Sequence, residues 1–435
     1  MGKGYRSYEP DQEFLLPPSL RDWLPENHLA YFVSDVIDNV DLSAMDEVYG
    51  EERRGQPPYD PRMMTKLLVY GYCVGVFSSR RLERRLVEDI AFRVLAAGNA
   101  PNFRTLSDFR KIHLKTLGDL FEQVLKIALE AGAMKVGRVA LDGTKVKASA
   151  SKHKAMSYGR MQEKEKEIRA EVKEMLARAQ AADEEEDARY GDRRGDELPA
   201  ELGRREIRLQ KIREAKKALE ARAREKAAAE GGDAKAARPA EKDQYNFTDP
   251  QSRIMKGADG FVQAYNAQAA VEPDLQLIVG QTVTAAANDK EQLIPMVEVI
   301  EQQSGQRPGE LLADSGYCSE KNLKQLDAEP NPKRRIEGYI ATGKQKHGEF
   351  RQSCPRGPLP QNATRVQRMK RKLQTKAGKA IYAARKTIVE PVFGQIKQAR
   401  GFRQFLLRGI EKVRGEWALV CLTHNILKLY RLCYQ

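Results

Sequence analysis

The chain has 435 residues, is 41% hydrophobic and 31% charged, and carries a formal net charge of +14. That length suits roughly two to four domains with a sizeable core, and the composition fits an ordered, water-soluble protein rather than a disordered or membrane-embedded one. The five cysteines (Cys73, Cys318, Cys354, Cys421, Cys433) are scattered with no CxxC pair, which argues against a disulfide framework and a cysteine zinc site and for a reducing, cytoplasmic setting.

The N-terminal MGKGYRSYEP has no apolar stretch of the kind a signal peptide needs, and Arg6 stands where a myristoylation signal wants Ser or Thr. Residues 1–132 read as a helical domain. Asn27 is placed to cap NHLAYFVSDVIDNV, in which Leu29, Phe32, Val33, Val36, Ile37 and Val40 keep a helical period. Asp60-Pro61 reads as a cap followed by proline at the first helical position. Ser78 and Ser79 open a helix through RRLERRLVEDIAFRVLAAG, and Thr105 opens one through LSDFRKIHLKTLGDLFEQVLKIALEAG. Arg80, Arg81, Arg84 and Arg110 lie on polar faces, as in a helix-turn-helix DNA reader. An ordinary bundle with a solvated arginine face fits those residues equally well.

GRVALDGTKVKA, residues 137–148, switches to strand character around Asp142. Residues 151–243 then turn rich in Ala, Glu, Lys and Arg. Ile168, Val172, Met175 and Ala179 form one helical stripe, and Leu209, Ile212, Lys216 and Leu219 another, separated by an acidic turn near 183–200. This predicts an antiparallel helical hairpin, followed by a mobile loop over 229–243.

Strands resume in FVQAYNAQAAVE and LQLIVGQTVTAA, with Asn288-Asp289 placed to cap the helix KEQLIPMVEVIEQQ. ELLADSGYCSEKNLKQL reads as a strand, a loop and a helix, with Asp314 at the strand's end, and RIEGYIAT as a further strand. Residues 344–380 read as a basic, partly irregular arm, and helices close the chain at about 382–399 and 412–433. WALVCLTHNILKLYRLCY is interrupted by His424, Asn425, Lys428 and Arg431, so it reads as a buried amphipathic helix and not as a membrane span. The expected fold is therefore an α/β core interrupted by a helical insertion after its first strand. Its parts are an N-terminal helical domain over 1–132, a core from 133–150 and 244–435, and an insertion over 151–243.

The basic charge is concentrated at one end. Residues 331–435 hold 24 Lys and Arg against 5 Asp and Glu, which leaves 51 basic residues against 56 acidic ones elsewhere. Such a segment suits a polyanion, most often nucleic acid. Between Glu349 and Glu411 the only acid is Glu390, amid 15 Lys and Arg. Asp142, Asp314 and Glu390 each stand beside apolar residues, where a lone buried carboxylate is costly. Taken singly, each is more readily a cap or turn residue than a ligand. Converging, they would need cations between them, and two divalent ions about 3.5–4 Å apart would serve phosphodiester chemistry. An all-carboxylate set favours Mg²⁺ or Mn²⁺ over zinc.

These segments, in this order, resemble the DDE transposases of bacterial insertion sequences. The resemblance is carried by LDGTKVKASASK, TDPQSRIMKGADGFVQAYNAQAAVE, TVTAAANDKEQL, LLADSGY and VEPVFGQIKQARGFRQFLLRG, together with the helical N-terminus, and it spans nearly the whole chain outside 151–240. It implies an RNase-H-like (retroviral-integrase-like) core with Asp142, Asp314 and Glu390 as the catalytic and metal-binding triad for two Mg²⁺ or Mn²⁺ ions. It also implies binding to double-stranded DNA, both element ends and target, by a homodimer in the bacterial cytoplasm, on the nucleoid. The Glu block of many relatives reads Tyr-x2-Arg-x3-Glu-x6-Lys. Lys397 falls seven residues after Glu390, as that block requires. Tyr382 and Arg385 keep their mutual spacing but lie one residue too far from Glu390, and Lys386 takes the basic position. Lys397, Arg400, Arg403, Arg408, Arg385 and Lys386 are thus candidate DNA contacts, beside Arg80, Arg81, Arg84 and Arg110. A nuclease of the same fold that cuts without joining, or a non-enzymatic DNA-binding protein whose acids are caps, would share most of these features.

Overall fold

The computed structural model describes residues 19–49, 57–190, 200–229, 231–257, 260–331, 334–343, 354–355 and 357–434, without the side chains of 21, 49, 178–190, 200–203 and 229. The N-terminal region is helical: α1 (Leu29–Asp38), α2 (Ser43–Tyr49), α3 (Pro61–Cys73), α4 (Ser79–Glu88), α5 (Ile90–Leu95), α6 (Phe103–Ile112) and α7 (Leu114–Glu130). Asp60 caps α3 as expected, accepting the N–H groups of Arg62 and Met63 at 2.7 and 3.0 Å. Other caps differ from the sequence reading. His28, not Asn27, caps α1 through Nδ1, and Asn102, not Thr105, caps α6. Two helices expected to be continuous are broken. Asp89 takes an extended backbone, closes α4 and caps α5, and His113 separates α6 from α7. Apolar periodicity passes through both breaks, so the pattern alone does not reveal them.

The sheet begins with β1 (Arg138–Lys147). β1 pairs antiparallel with β5 (Gly260–Val271) and parallel with β7 (Glu310–Ala313), which in turn pairs parallel with β8 (Glu337–Ile340). On its other side β5 pairs antiparallel first with β4 (Arg253–Gly257), a strand absent from the sequence reading, and then with β6 (Ile278–Thr284). The result is a mixed sheet in a mixed α/β protein. Val139–Leu141 of β1 and Leu311–Ala313 of β7 are buried and read as apolar runs, as parallel strands do.

α10 (Leu293–Ser304), α11 (Glu320–Asp327), α12 (Arg365–Gln374), α13 (Lys376–Gly394) and α14 (Ile410–Tyr434) complete the core. The expected basic arm over 344–380 lies outside the described residues at 344–353 and 356. Its later part is α12, which Thr364 and Gln367 start with a capping box. α14 packs on α3, α7 and β6 together. Its interrupting polar residues are inside and bonded: Asn425 holds both the N–H and C=O of Ile278, each at 2.8 Å, and His424 Nε2 lies 3.0 Å from Gln276 O. One apolar core runs from Val33 and Leu68 through Trp417 into Val139 and Leu312, so packing is continuous across residue 132.

The insertion is a hairpin of α8 (Tyr158–Tyr190) and α9 (Ala200–Ala229), standing on a short β2 (Ala155–Ser157) and β3 (Gln244–Asn246) pair. It has its own small core of Met161, Ile168, Leu209, Ile212, Ala215 and Leu219. Lys216, which fell on the apolar stripe, is there to neutralise buried Glu165 at 2.6 Å, alongside Arg169 and Arg213. Of the loop expected over 229–243, Glu230 lies outside the described residues. The rest is tied to the hairpin's foot by Tyr158 N–H to Asp243 O and Gly159 N–H to Glu241 O, at 2.8 and 3.1 Å. Among the described residues no helix is long and apolar enough to cross a membrane.

Candidate active site

Leu141 of β1 and Ala313 of β7 are register partners, and each is followed by an aspartate. Because the strands are parallel and in this register, Asp314 leaves the end of β7 level with Asp142 in the middle of β1. Asp142 Oδ1 accepts the Gly143 N–H at 2.9 Å and Oδ2 meets Arg385 Nη1 at 3.1 Å. Burial pushes the Asp142 carboxyl above the ordinary aspartate range, the Arg385 guanidinium pulls it back, and Asp314 pushes it up again. Asp314 Oδ1 accepts the Gly316 N–H at 2.8 Å and so shapes the turn over Ser315–Tyr317.

Arg385 comes from α13, which lies across β1, β5, β7 and β8 with Ile388, Val389 and Val392 buried beneath it. This helix corrects the sequence reading of Pro391. The proline sits inside α13, so Glu390 is near the helix's C-terminal end and not at its start. Proline supplies no N–H to the carbonyl four residues back. That carbonyl, Thr387 O, instead accepts Gln276 Nε2 at 2.9 Å, which lets the helix continue. Glu390 is exposed and forms no ion pair among the described residues. Beyond it the chain widens into a π-turn at Gln395–Ala399, a local form frequent at functional sites. Lys397 in this turn donates to Thr144 Oγ1 and Lys145 O at 2.5 and 2.8 Å. The next segment bridges to the end of β1, Lys147 N–H to Arg403 O and Phe405 N–H to Lys147 O. The basic stretch is thereby fixed over the strand that carries Asp142.

The arginines expected at DNA divide into two groups. Arg80, Arg81, Arg84, Lys386, Arg403 and Arg408 are exposed, although Arg84 pairs with Glu88 and Arg408 donates to Ser149 O. Arg110 is buried and donates to Tyr72 Oη and Phe77 O at 3.2 and 2.9 Å, so it cannot serve as a surface contact. Arg400 turns its guanidinium inward to Thr423 Oγ1 and Val420 O, and burial pulls it down to about 10. A buried, hydrogen-bonded arginine is indistinguishable from a solvated one in sequence, which is why both stood among the candidate contacts.

Two family comparisons match. The family described as transposase domain (DUF772) covers residues 18–112, and the family described as transposase DDE domain covers residues 351–430. Both stretches are similar to transposases. No curated protein and no solved structure matches it.

Around Asp142 and Asp314 the chain gathers further polar groups that the sequence reading did not place there. Asp289, expected to cap α10, stands clear of that helix, which begins at Leu293. Its Oδ1 accepts Asn266 Nδ2 at 2.6 Å and Gln268 Nε2 at 2.7 Å and lies 3.7 Å from Lys145 Nζ. Tyr317 Oη donates to Gln268 Oε1. Burial raises the Tyr317 phenol, and the charges of Asp289, Asp142 and Asp314 raise it further. The signal was present in the quoted blocks YNAQ and ANDKEQL, whose polar residues break an apolar alternation. Among the described residues, no three His, Cys, Asp or Glu side chains are gathered closely enough to hold a metal ion. The donor types are nonetheless those of a hard cation, namely carboxylate and amide oxygens with no thiolate or imidazole. The fully buried Asn266 Oδ1 has no hydrogen-bond partner.

Proposed function

We propose that this chain is a transposase that binds the inverted-repeat ends of its element, hydrolyses a phosphodiester to leave a 3′-hydroxyl, and joins that hydroxyl to target DNA at the same site. The observation that carries the proposal is the placing of Asp142, within β1, next to Asp314, just past the end of the adjacent parallel β7, beneath the Arg385–Arg408 segment. The strand order, three antiparallel strands continued by two parallel to the first, supports an RNase-H-like core. Asp142, Asp314 and Glu390 would hold Mg²⁺ or Mn²⁺, two ions in the reading favoured here, which when bound neutralise phosphate charge and activate the attacking oxygen. Until a cation binds, Arg385 keeps the buried Asp142 carboxylate compensated. Lys397 fixes the π-turn on β1, and exposed Arg403 and Arg408 offer charge to the DNA backbone. Arg80 and Arg81 on α4 offer a second contact. The protein would work as a homodimer on double-stranded DNA, in the cytoplasm and on the nucleoid.

The test is paired. Glu390→Gln removes a charge from a basic surface, so binding to end DNA in a gel shift should hold or tighten, while nicking in Mg²⁺ should fall by orders of magnitude. Wild-type nicking by the variant would remove Glu390 from the site. A strand-transfer assay with pre-nicked ends separates a transposase from a nuclease that only cuts, and absence of any divalent-dependent nicking by the wild type would end the enzymatic reading.

A further inference from the structure

We propose that Asp289 is a further carboxylate of the Asp142–Asp314 pocket and takes part in binding its divalent cation. This rests on the reading of that pocket as a cation site. Asp289 is held in a defined direction: Asn266 and Gln268 of β5 both donate to Oδ1, and Lys145 of β1 stands behind the same oxygen. That leaves Oδ2 facing the Asp314 turn. A Cβ placed on Gly316 would lie 3.0 Å from Asp314 Oδ1 and 3.5 Å from Asp289 Oδ2, so the two carboxylates border one small volume.

An independent observation points to a ligand in the same place. Asn266 has no exposed surface, and its Oδ1 is without a partner. A Cβ on Gly143 would lie 2.9 Å from that oxygen and 2.7 Å from Asp289 Oδ1. A buried acceptor left unsatisfied is costly, and a cation or donor is what it lacks. Neither Gly143 nor Gly316 has a positive φ, so backbone conformation does not demand glycine at either position. What both glycines allow is close approach of these polar groups, which stand where a side chain would otherwise be: Gln268 Nε2, Asp289 Oδ1 and Asn266 Oδ1 around Gly143 beside Asp142, and Asp314 Oδ1 around Gly316. The charges of Asp289, Asp142 and Asp314 all act on Tyr317 and Lys145, which places the three acids in one electrostatic neighbourhood. Binding would draw the carboxylates inward as Arg385 leaves Asp142.

The experiment measures Mn²⁺ binding by full-length protein without DNA, by electron paramagnetic resonance of the free ion, for wild type, Asp142→Asn, Asp289→Asn and Gly316→Ala. Losing a group that holds or orients a bound metal typically weakens affinity by about tenfold or more, and all three variants should show this. Gly316→Ala fills the shared volume without altering charge, and it decides the matter if Asp289→Asn fails to fold. Wild-type affinity in folded Asp289→Asn, or in Gly316→Ala when the former is unfolded, with loss in Asp142→Asn, overturns the role of Asp289 and leaves the pocket standing. Wild-type affinity in Asp142→Asn, or no Mn²⁺ binding by the wild type, overturns the pocket itself and this inference with it.

Discussion

Glu416 allows a sharp test of how the helical region is joined to the site. It is wholly buried in α14 and accepts the N–H groups of Leu406 and Leu407 at 3.0 and 3.1 Å and the Tyr72 hydroxyl at 3.2 Å. Arg110 completes the network through Tyr72. Glu416→Gln keeps the shape but offers one acceptor where two oxygens served and turns an NH₂ towards backbone donors. An orphaned buried donor costs about 1–3 kcal/mol. Removing one charge of a buried compensated set costs about 3–5 kcal/mol. A loss on the order of 3 kcal/mol is therefore expected in chemical unfolding. Arg110→Met should cost a similar amount, and the double variant should cost less than the two together, with a coupling of about 1–3 kcal/mol. At temperatures where it stays folded, Arg110→Met should bind end DNA as the wild type does. A change below about 0.5 kcal/mol for Glu416→Gln, the level of an ordinary surface substitution, would refute the reasoning. So would strict additivity in the double variant.

Two other expectations follow from the packing. Burial pulls His424 down from 6.5 to about 3, so the folded state favours the neutral ring. Its stabilising share is complete above the unfolded value and is lost as pH falls from 6.5 towards 3, reaching roughly 2 kcal/mol by pH 5. Stability measured from pH 7 to 5 should decline less steeply in His424→Gln, and identical slopes would exclude the histidine as the cause. Replacing Tyr158–Ala229 with a short Gly/Ser linker should leave a core that melts cooperatively, because the hairpin has its own apolar cluster; loss of the cooperative transition would make the hairpin part of the main core.

The sequence was most informative where local chemistry and burial agree. Asp142 and Asp314 were conspicuous as acids beside apolar strand residues, and the two helices of the hairpin were legible from two apolar stripes. The position of Glu390 was misjudged because Pro391 signals a helix start only when the orphaned carbonyl has no other partner, and Gln276, more than a hundred residues earlier in the chain, supplies one. Gln276 itself has a positive φ of 59°, strained for a residue with a side chain, and it is held there by Thr387, His424 and Lys428. Asp289 was read as a cap because capping is the commonest local use of an aspartate before a helix. Its real partners, Asn266 and Gln268, lie on β5; the two polar blocks stand out in sequence, but their pairing does not. Arg110 and Arg400 failed for the same reason, since their acceptors come from distant segments.

The placement of α14 has a consequence for synthesis. α3 and α7 bury their apolar faces against a helix that leaves the ribosome some three hundred residues after them, and β1 waits for β5 and β7 from beyond the hairpin. Contacts so distant in sequence form late, because loop closure must precede them. A nascent chain stopped before Ile410 would carry both aspartates but lack the helix that buries its N-terminal half, and such exposed apolar surface invites aggregation and degradation. The complete fold therefore arrives only once this region has been translated, and a chain interrupted before it lacks the contacts that bury its N-terminal half.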